Sequence, residues 1–252
     1  FSGYKAGRKP LRLNRNVKNL TGSEETHNKF WQQIRLIEYL NIMPVMQITL
    51  DAVEADDIIS YASLNSFYEG WNKIIVSSDK DFYQLCDDEI IIYRATQKQI
   101  VTKKTILKEF QIHPNNFALA RAVGGDKSDN LPGVSGAGLK TIAKRFPFLL
   151  EPDEHTVTEV VQHAIDAESK LKIYQNVSKS RDLIADNFKV MQLKDTILSY
   201  QNTAKIDYIL RNFEPEFNRT LSRKMMMEDG FGEWDSSDLF ACFNRIIDKS
   251  ID

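Results

Sequence analysis

An α/β fold, a sheet with helices on its faces, is the architecture this sequence predicts, and two observations predict it. Between residues 23 and 93 helical and strand-like segments alternate. From about residue 102 onward the pattern is mostly helical, with one glycine-rich interruption. Alternation of this kind implies layers, because each face of a sheet needs helices to cover it.

The elements follow in order. Residues 1–20 are basic and irregular, and Pro10 interrupts any early helix. Residues 23–40 place Phe30, Ile34 and Ile37 at helical spacing, with Trp31 beside them. Residues 43–49 are a short apolar run that suits a buried strand, and 57–67 again reads as a helix. Residues 73–78 are β-branched and end in small polar residues, and 89–93 contain three consecutive isoleucines; both read as strands, with a short helix between. No internal repeat or low-complexity tract breaks the pattern.

Composition excludes several classes. A chain of 252 residues can hold one large core or a main domain with a smaller one. No apolar run approaches the ~18 residues of a membrane span. The start at Phe1 has neither an initiator Met nor a signal-peptide pattern, so the chain is expected to be part of a longer one. Two distant cysteines, Cys86 and Cys242, point to a reducing setting rather than a disulfide framework. A net charge of −2 is unlike a typical nucleic-acid binder, but residues 1–20 carry Lys5, Arg8, Lys9, Arg12, Arg15 and Lys18 with no acid.

The acids crowd into three clusters: Glu54, Asp56 and Asp57; Asp79 and Asp81; Asp126 and Asp129. The first two follow predicted strands, at the sheet edge where active sites of open α/β folds gather. Crowded carboxylates repel and need compensation. Hard divalent cations such as Mg²⁺ or Mn²⁺ supply it through oxygen ligands, and two such ions can clamp the attacking and leaving oxygens of a phosphodiester. The blander alternatives are local: Asp51 and Glu54 as a helix-capping pair, Asp79 as a cap, Asp126 and Asp129 in a solvated turn. The four histidines show no ligand spacing. Met225–Met227 with Phe231, Trp234, Phe240 and Phe243 read as packing residues.

Residues 131–143 run from a glycine hairpin into a helix, with Gly133, Gly136 and Gly138 followed by Lys140 and Lys144. Glycines allow close backbone approach, and a helix start offers N–H groups to a phosphate. The arrangement suits a grip on the DNA backbone without sequence reading. Its alternative is a turn that needs glycine for shape alone.

Taken together, Tyr4-Lys5-Ala6-Gly7-Arg8, Glu54-Ala55-Asp56-Asp57, Asp79-Lys80-Asp81 and Gly125-Asp126-Lys127-Ser128-Asp129 running into Pro132-Gly133 resemble, in order, the motifs of the 5′ nuclease (flap endonuclease) family. That family includes the nuclease domain of bacterial DNA polymerase I and standalone phage 5′ nucleases. The resemblance implies a PIN-like core with a mostly parallel sheet over 1–100, and a helical region over 101–252 with a helix–hairpin–helix at about 124–146. It implies metal binding by Glu54, Asp56, Asp57, Asp79, Asp81, Asp126 and Asp129, and phosphate contact by Lys5 and Arg8. It implies DNA contact by Tyr4, Gly133, Gly136, Gly138, Lys140 and Lys144. Two Mg²⁺ or Mn²⁺ ions, a K⁺ at the hairpin, and a monomeric, cytoplasmic, phage-like enzyme on flap DNA or RNA–DNA hybrids complete the expectation. The family's first strand, with a further metal-binding Asp, and another Asp upstream of the Tyr-Lys element are not in these residues. The competing expectation is a module that binds branched DNA without cutting it.

Overall fold

The structure, a computed structural model, describes residues 21–231 and 233–249. Tyr4, Lys5 and Arg8 lie outside the described residues. In chain order the helices are α1 (Gly22–Asn41), α2 (Ala55–Leu64), α3 (Lys103–Phe110), α4 (Phe117–Gly124), α5 (Leu139–Arg145), α6 (Val157–Asp166), α7 (Lys172–Ser178), α8 (Arg181–Met191), α9 (Tyr200–Asn212), α10 (Arg219–Glu228) and α11 (Ser237–Lys249). The strands are β1 (Lys73–Val76), β2 (Ile90–Arg94) and β3 (Gln99–Val101). Two compact units result, one of residues 52–200 and one combining 21–51 with 201–249.

The first unit holds the sheet, in the order β1-β2-β3. β1 and β2 are parallel, and β2 and β3 are antiparallel. The sheet is therefore mixed, where a mostly parallel one is expected. The reason is local: only a 3₁₀ turn at Ala95–Gln97 and Lys98, at a left-handed φ of 51°, separate β2 from β3. So short a return can make only a hairpin, whereas parallel strands need a longer crossover. Alternation buries one row, Ile75, Ile92 and Val101, which lie in register across the three strands.

Residues 43–49 form no strand. Buried Pro44 sits in this run, and proline brings no N–H to a ladder.

The helical part of this unit packs around α4, which lies against α8 and α5. Six of its eight residues are buried, a composition that suits a helix enclosed on most sides. Asn187 on α8 is fully buried and donates through Nδ2 to the carbonyls of Ala122 (2.9 Å) and Pro132 (2.8 Å). It thereby fixes the end of α4 to the start of the glycine stretch. α3 and α6 each begin with a threonine cap, Thr102 and Thr156.

In the second unit, Met226, Phe240 and Phe243 form a small core with Tyr39, Met43, Phe217 and Leu239. Arg35 binds Glu38 (2.9 Å) and Asp229 (2.8 Å), and the Tyr39 hydroxyl donates to Asp229 (2.7 Å). Met225, Met226, Phe240 and Phe243 are buried as expected of packing residues, whereas Met227, Phe231 and Trp234 are exposed. Cys86 and Cys242 are free thiols. Among the described residues no helix is long and apolar enough to cross a membrane.

The glycine stretch is an interlocked backbone. A Cβ on Gly133 would lie 1.8 Å from the carbonyl oxygen of Gly124, and one on Gly125 2.2 Å from the Gly133 nitrogen. Gly138, the N-cap of α5, has nothing within 4 Å of its Cβ position. Gly133→Ala is expected to destabilise the chain by more than ~3 kcal/mol in urea unfolding, because only backbone could yield. Gly138→Ala should cost less than about 1 kcal/mol. Similar losses for the two variants would contradict the interlocked arrangement.

Candidate metal centre

Each acid is carried by a defined turn. After β1, the Ser77 N–H continues the ladder to the Tyr93 carbonyl (3.1 Å), and the chain enters Asp79. The Asp79 Oδ1 accepts from the Asp81 N–H at 2.9 Å, a local turn contact just before the 3₁₀ turn Asp81–Leu85, whose N-cap residue is Lys80. After α4, Gly125 at φ 72° turns the chain, and Asp126 and Leu131 exchange both backbone hydrogen bonds (2.9 and 2.7 Å). That closed loop presents Asp126 and Asp129. The Asp126 Oδ1 accepts from the Ser128 N–H (2.7 Å) and hydroxyl (2.5 Å). Asp79 and Asp126 thus each hold a local turn through their side chains, and those bonds aim the carboxylates. Glu54 is the N-cap residue of α2, but its side chain does not cap the helix. Asp56 and Asp57 occupy the first turn, where the helix dipole favours negative charge.

These turns bring the three clusters together. Asp81, Asp126 and Asp129 each offer a carboxylate oxygen within 4.8 Å of the others. Glu54, Asp56, Asp57, Asp79, Asp81 and Asp129 line one pocket of about 380 Å³, closed by residues 189–193, Thr196 and Ile197. None of the four histidines lines it. The all-oxygen donor set fits a hard divalent cation and does not fit a site built on Cys and His.

Buried polar residues hold the pocket walls. Gln84, 3% exposed, donates to the carbonyls of Asp81 (2.8 Å) and Met191 (2.9 Å) and accepts from the Leu193 N–H (2.8 Å). Ser60, on the helix that carries Asp56 and Asp57, donates to the Leu193 carbonyl at 2.5 Å. Residues 191–193 therefore tie α2 to the turn bearing Asp81.

A cation bridges two of the acids. The Arg121 Nη2 lies 2.8 Å from Asp81 and 2.5 Å from Asp126. Burial pushes the Asp81 carboxyl up to about 6; Arg121 opposes this, and the charges of Asp79 and Asp126 add to it. Burial alone would also raise Asp126, but the Ser128 hydroxyl and N–H, with Arg121, outweigh it and hold that group below its ordinary range. Burial disfavours the Arg121 charge, and the two carboxylates more than restore it.

The other predicted residues lie elsewhere. Lys140 and Lys144 are exposed and one turn apart on α5. Gly133 is packed against Gly124, Gly136 takes a positive φ of 83°, and Gly138 caps α5. None of these lines the acidic pocket. Sequence reading missed Arg121, Gln84 and Ser60. Arg121 had a signal, since it is the one charged residue of α4. Gln84 and Ser60 had none, because their partners are backbone groups far along the chain.

Fold and site together define a mixed α/β protein with an acidic pocket suited to divalent cations. The family described as "5'-3' exonuclease, N-terminal resolvase-like domain" matches residues 1–111. A 5′-3′ exonuclease of Buchnera aphidicola is 32% identical over 186 residues, 73% of this chain and 57% of that protein. The thermostable DNA polymerase I of Thermus aquaticus is 32% identical over 145 residues, 57% of this chain and 16% of that protein. The chain thus spans little more than half the length of the first of these relatives and a sixth of the second. The phage T5 5′-exonuclease with zinc ions bound superposes with a TM-score of 0.55 at 19% identity, over 83% of this chain and 71% of that one. The T5 flap endonuclease complexed with DNA and metal ions gives 0.56 at 17% identity, over 82% and 68%. At such identities the structural likeness is one of fold. Residues 1–111 thus match the 5′-3′ exonuclease family, and the chain is similar over 186 residues to a 5′-3′ exonuclease.

Asp81 gives the metal-free protein a testable pH dependence. Its carboxyl lies at about 6 in the fold against an ordinary 3.8. The folded chain therefore binds this proton more tightly than the unfolded chain does. The resulting stability is fully present below about pH 4 and is lost as pH rises through about 6. In EDTA, Asp81→Asn should reduce the fall in unfolding free energy between about pH 4.5 and pH 7 by on the order of 1–3 kcal/mol. Identical pH slopes in parent and variant would contradict the burial of this charge.

Proposed function

We propose that the protein is a divalent-metal-dependent 5′-3′ exonuclease and flap endonuclease that hydrolyses DNA phosphodiester bonds during replication, with RNA of RNA–DNA hybrids as a further substrate. The observation that carries this reading is the gathering of six acids around one pocket, with Asp126 within 4.8 Å of two of them, in a chain similar to 5′-3′ exonucleases. In this reading Mg²⁺ or Mn²⁺, two ions in all, is held by Glu54, Asp56, Asp57, Asp79, Asp81, Asp126 and Asp129. A divalent cation at such a site makes water a competent nucleophile at neutral pH and offsets charge on the phosphoryl oxygens. The side chains orient it, and the Gln84 and Ser60 hydrogen bonds keep the walls in place.

Lys5 and Arg8 are assigned to the scissile phosphate, where cations oppose developing negative charge. Tyr4 is assigned to stacking on a base, which every base permits. The PIN-like core is assigned to 1–100 and the DNA grip to 101–252, with Asp126 and Asp129 crossing that division. Residues 124–146 act as the helix–hairpin–helix. Gly133, Gly136 and Gly138 let the duplex backbone approach, Lys140 and Lys144 contact phosphates, and a K⁺ binds carbonyls of the hairpin. The exposure of both lysines on one face of α5 supports that role. The protein acts as a monomer, inside a cell, in the manner of phage-encoded nucleases.

The test is cleavage of 5′-labelled flap DNA. With Mg²⁺ the protein should cut near the junction, EDTA should abolish cutting, and Asp79→Ala should lower the rate by at least about 100-fold. Binding without cutting at any Mg²⁺ or Mn²⁺ concentration would favour the non-cleaving module instead. Lys140→Ala with Lys144→Ala should weaken flap binding and reduce the salt slope by about 1–2. An unchanged slope would remove α5 from the DNA interface.

A further inference from the structure

Arg121 stands out because the proposed chemistry has no use for it, yet it holds the centre of the acid cluster. Its Nη2 bridges Asp81 Oδ1 (2.8 Å) and Asp126 Oδ2 (2.5 Å), and its Nε adds a second bond to the same Asp81 oxygen at 3.1 Å. The two carboxylates come from different turns, 40 and 5 residues away along the chain. Both belong to the three-acid group whose oxygens lie within 4.8 Å of one another. The three side chains keep only 15–18% of their exposure, so the pairing is weakly screened by water.

The local fold appears in three features built around this contact. Arg121 lies in the last turn of α4, where the helix dipole favours a cation. Gly125, at φ 72°, reverses the chain so that Asp126 returns toward it. Asn187 fixes the neighbouring Ala122 carbonyl. A guanidinium so buried needs its partners, and the partners need it.

We propose that Arg121 is a built-in counter-ion that competes with a divalent cation for Asp81 and Asp126, and so sets a weak affinity at that end of the pocket. This rests on the metal reading above. Two cations that share ligand oxygens repel, and each lowers the affinity for the other by the same factor. The protein then stays folded without metal, because Arg121 neutralises the crowd, and loads that position only when the cation displaces or shares the guanidinium. A residue that merely organised the ligands would have the opposite signature, since its loss would weaken metal binding.

The experiment is Mn²⁺ titration calorimetry on the whole chain, with thermal unfolding of the metal-free and Mn²⁺-saturated forms. Arg121→Gln should bind Mn²⁺ about tenfold more tightly or more, melt lower without metal, and recover most of that loss when saturated. Arg121→Lys keeps the charge but not the two-pronged geometry, and should tighten binding by a few-fold; it carries the measurement if Arg121→Gln does not fold. Lys127→Gln removes an exposed charge beside Asp126 and should change affinity less than about twofold. Unchanged or weaker Mn²⁺ binding in folded Arg121 variants overturns the counter-ion inference alone. Failure of the parent and all variants to bind Mn²⁺ overturns the metal reading itself.

Discussion

Carboxylates held within 4.8 Å of one another repel, and a fold that gathers Asp81, Asp126 and Asp129 must supply compensation before any ligand arrives. Arg121 supplies it here, and the cost is divided unequally. Asp81 is pushed up to about 6 by burial, while Asp126 is held low by Ser128 and Arg121. The rest of the first unit can be read as the means of holding that balance. α4 is packed against α8 and α5, which places Arg121 beside both carboxylates.

The same constraint explains where the buried polar groups lie. Gln84 and Ser60 spend their hydrogen bonds on residues 191–193, which joins α2, the Asp81 turn and the end of α8 into one frame. Unsatisfied, such groups would be costly in the interior. Satisfied by backbone from three elements, they set how far apart the acids of α2 and of the β1 edge can move. The interlocked glycines do the same for the Asp126–Asp129 loop, since Gly133 and Gly125 pack backbone on backbone.

Much of this was legible in the sequence, for physical reasons that differ by element. The strands at β1 and β2 declared themselves through β-branched runs, and the helix over α1 through its apolar period. The acids were legible because carboxylates in bunches are unusual and their strand-end positions are informative. The sheet's mixed character was not, because the hairpin to β3 depends on Lys98 taking a left-handed φ of 51°, for which a lysine gives no signal. The strand expected at 43–49 failed because apolar content was weighed above Pro44. Arg121 was legible only as an oddity within an apolar helix. The Gln84 and Asn187 clamps join residues more than fifty positions apart and could not be read locally.

The central claim is that this acidic pocket is a divalent-cation site, and it can be examined without any assay of cleavage. Crystals of the protein soaked in Mn²⁺ should give anomalous difference density in the pocket bounded by Asp81, Asp126 and Asp129, extending toward Asp79 and Asp56 if a second ion binds. A pocket without anomalous density at saturating Mn²⁺, with Arg121 still bridging Asp81 and Asp126, would contradict it.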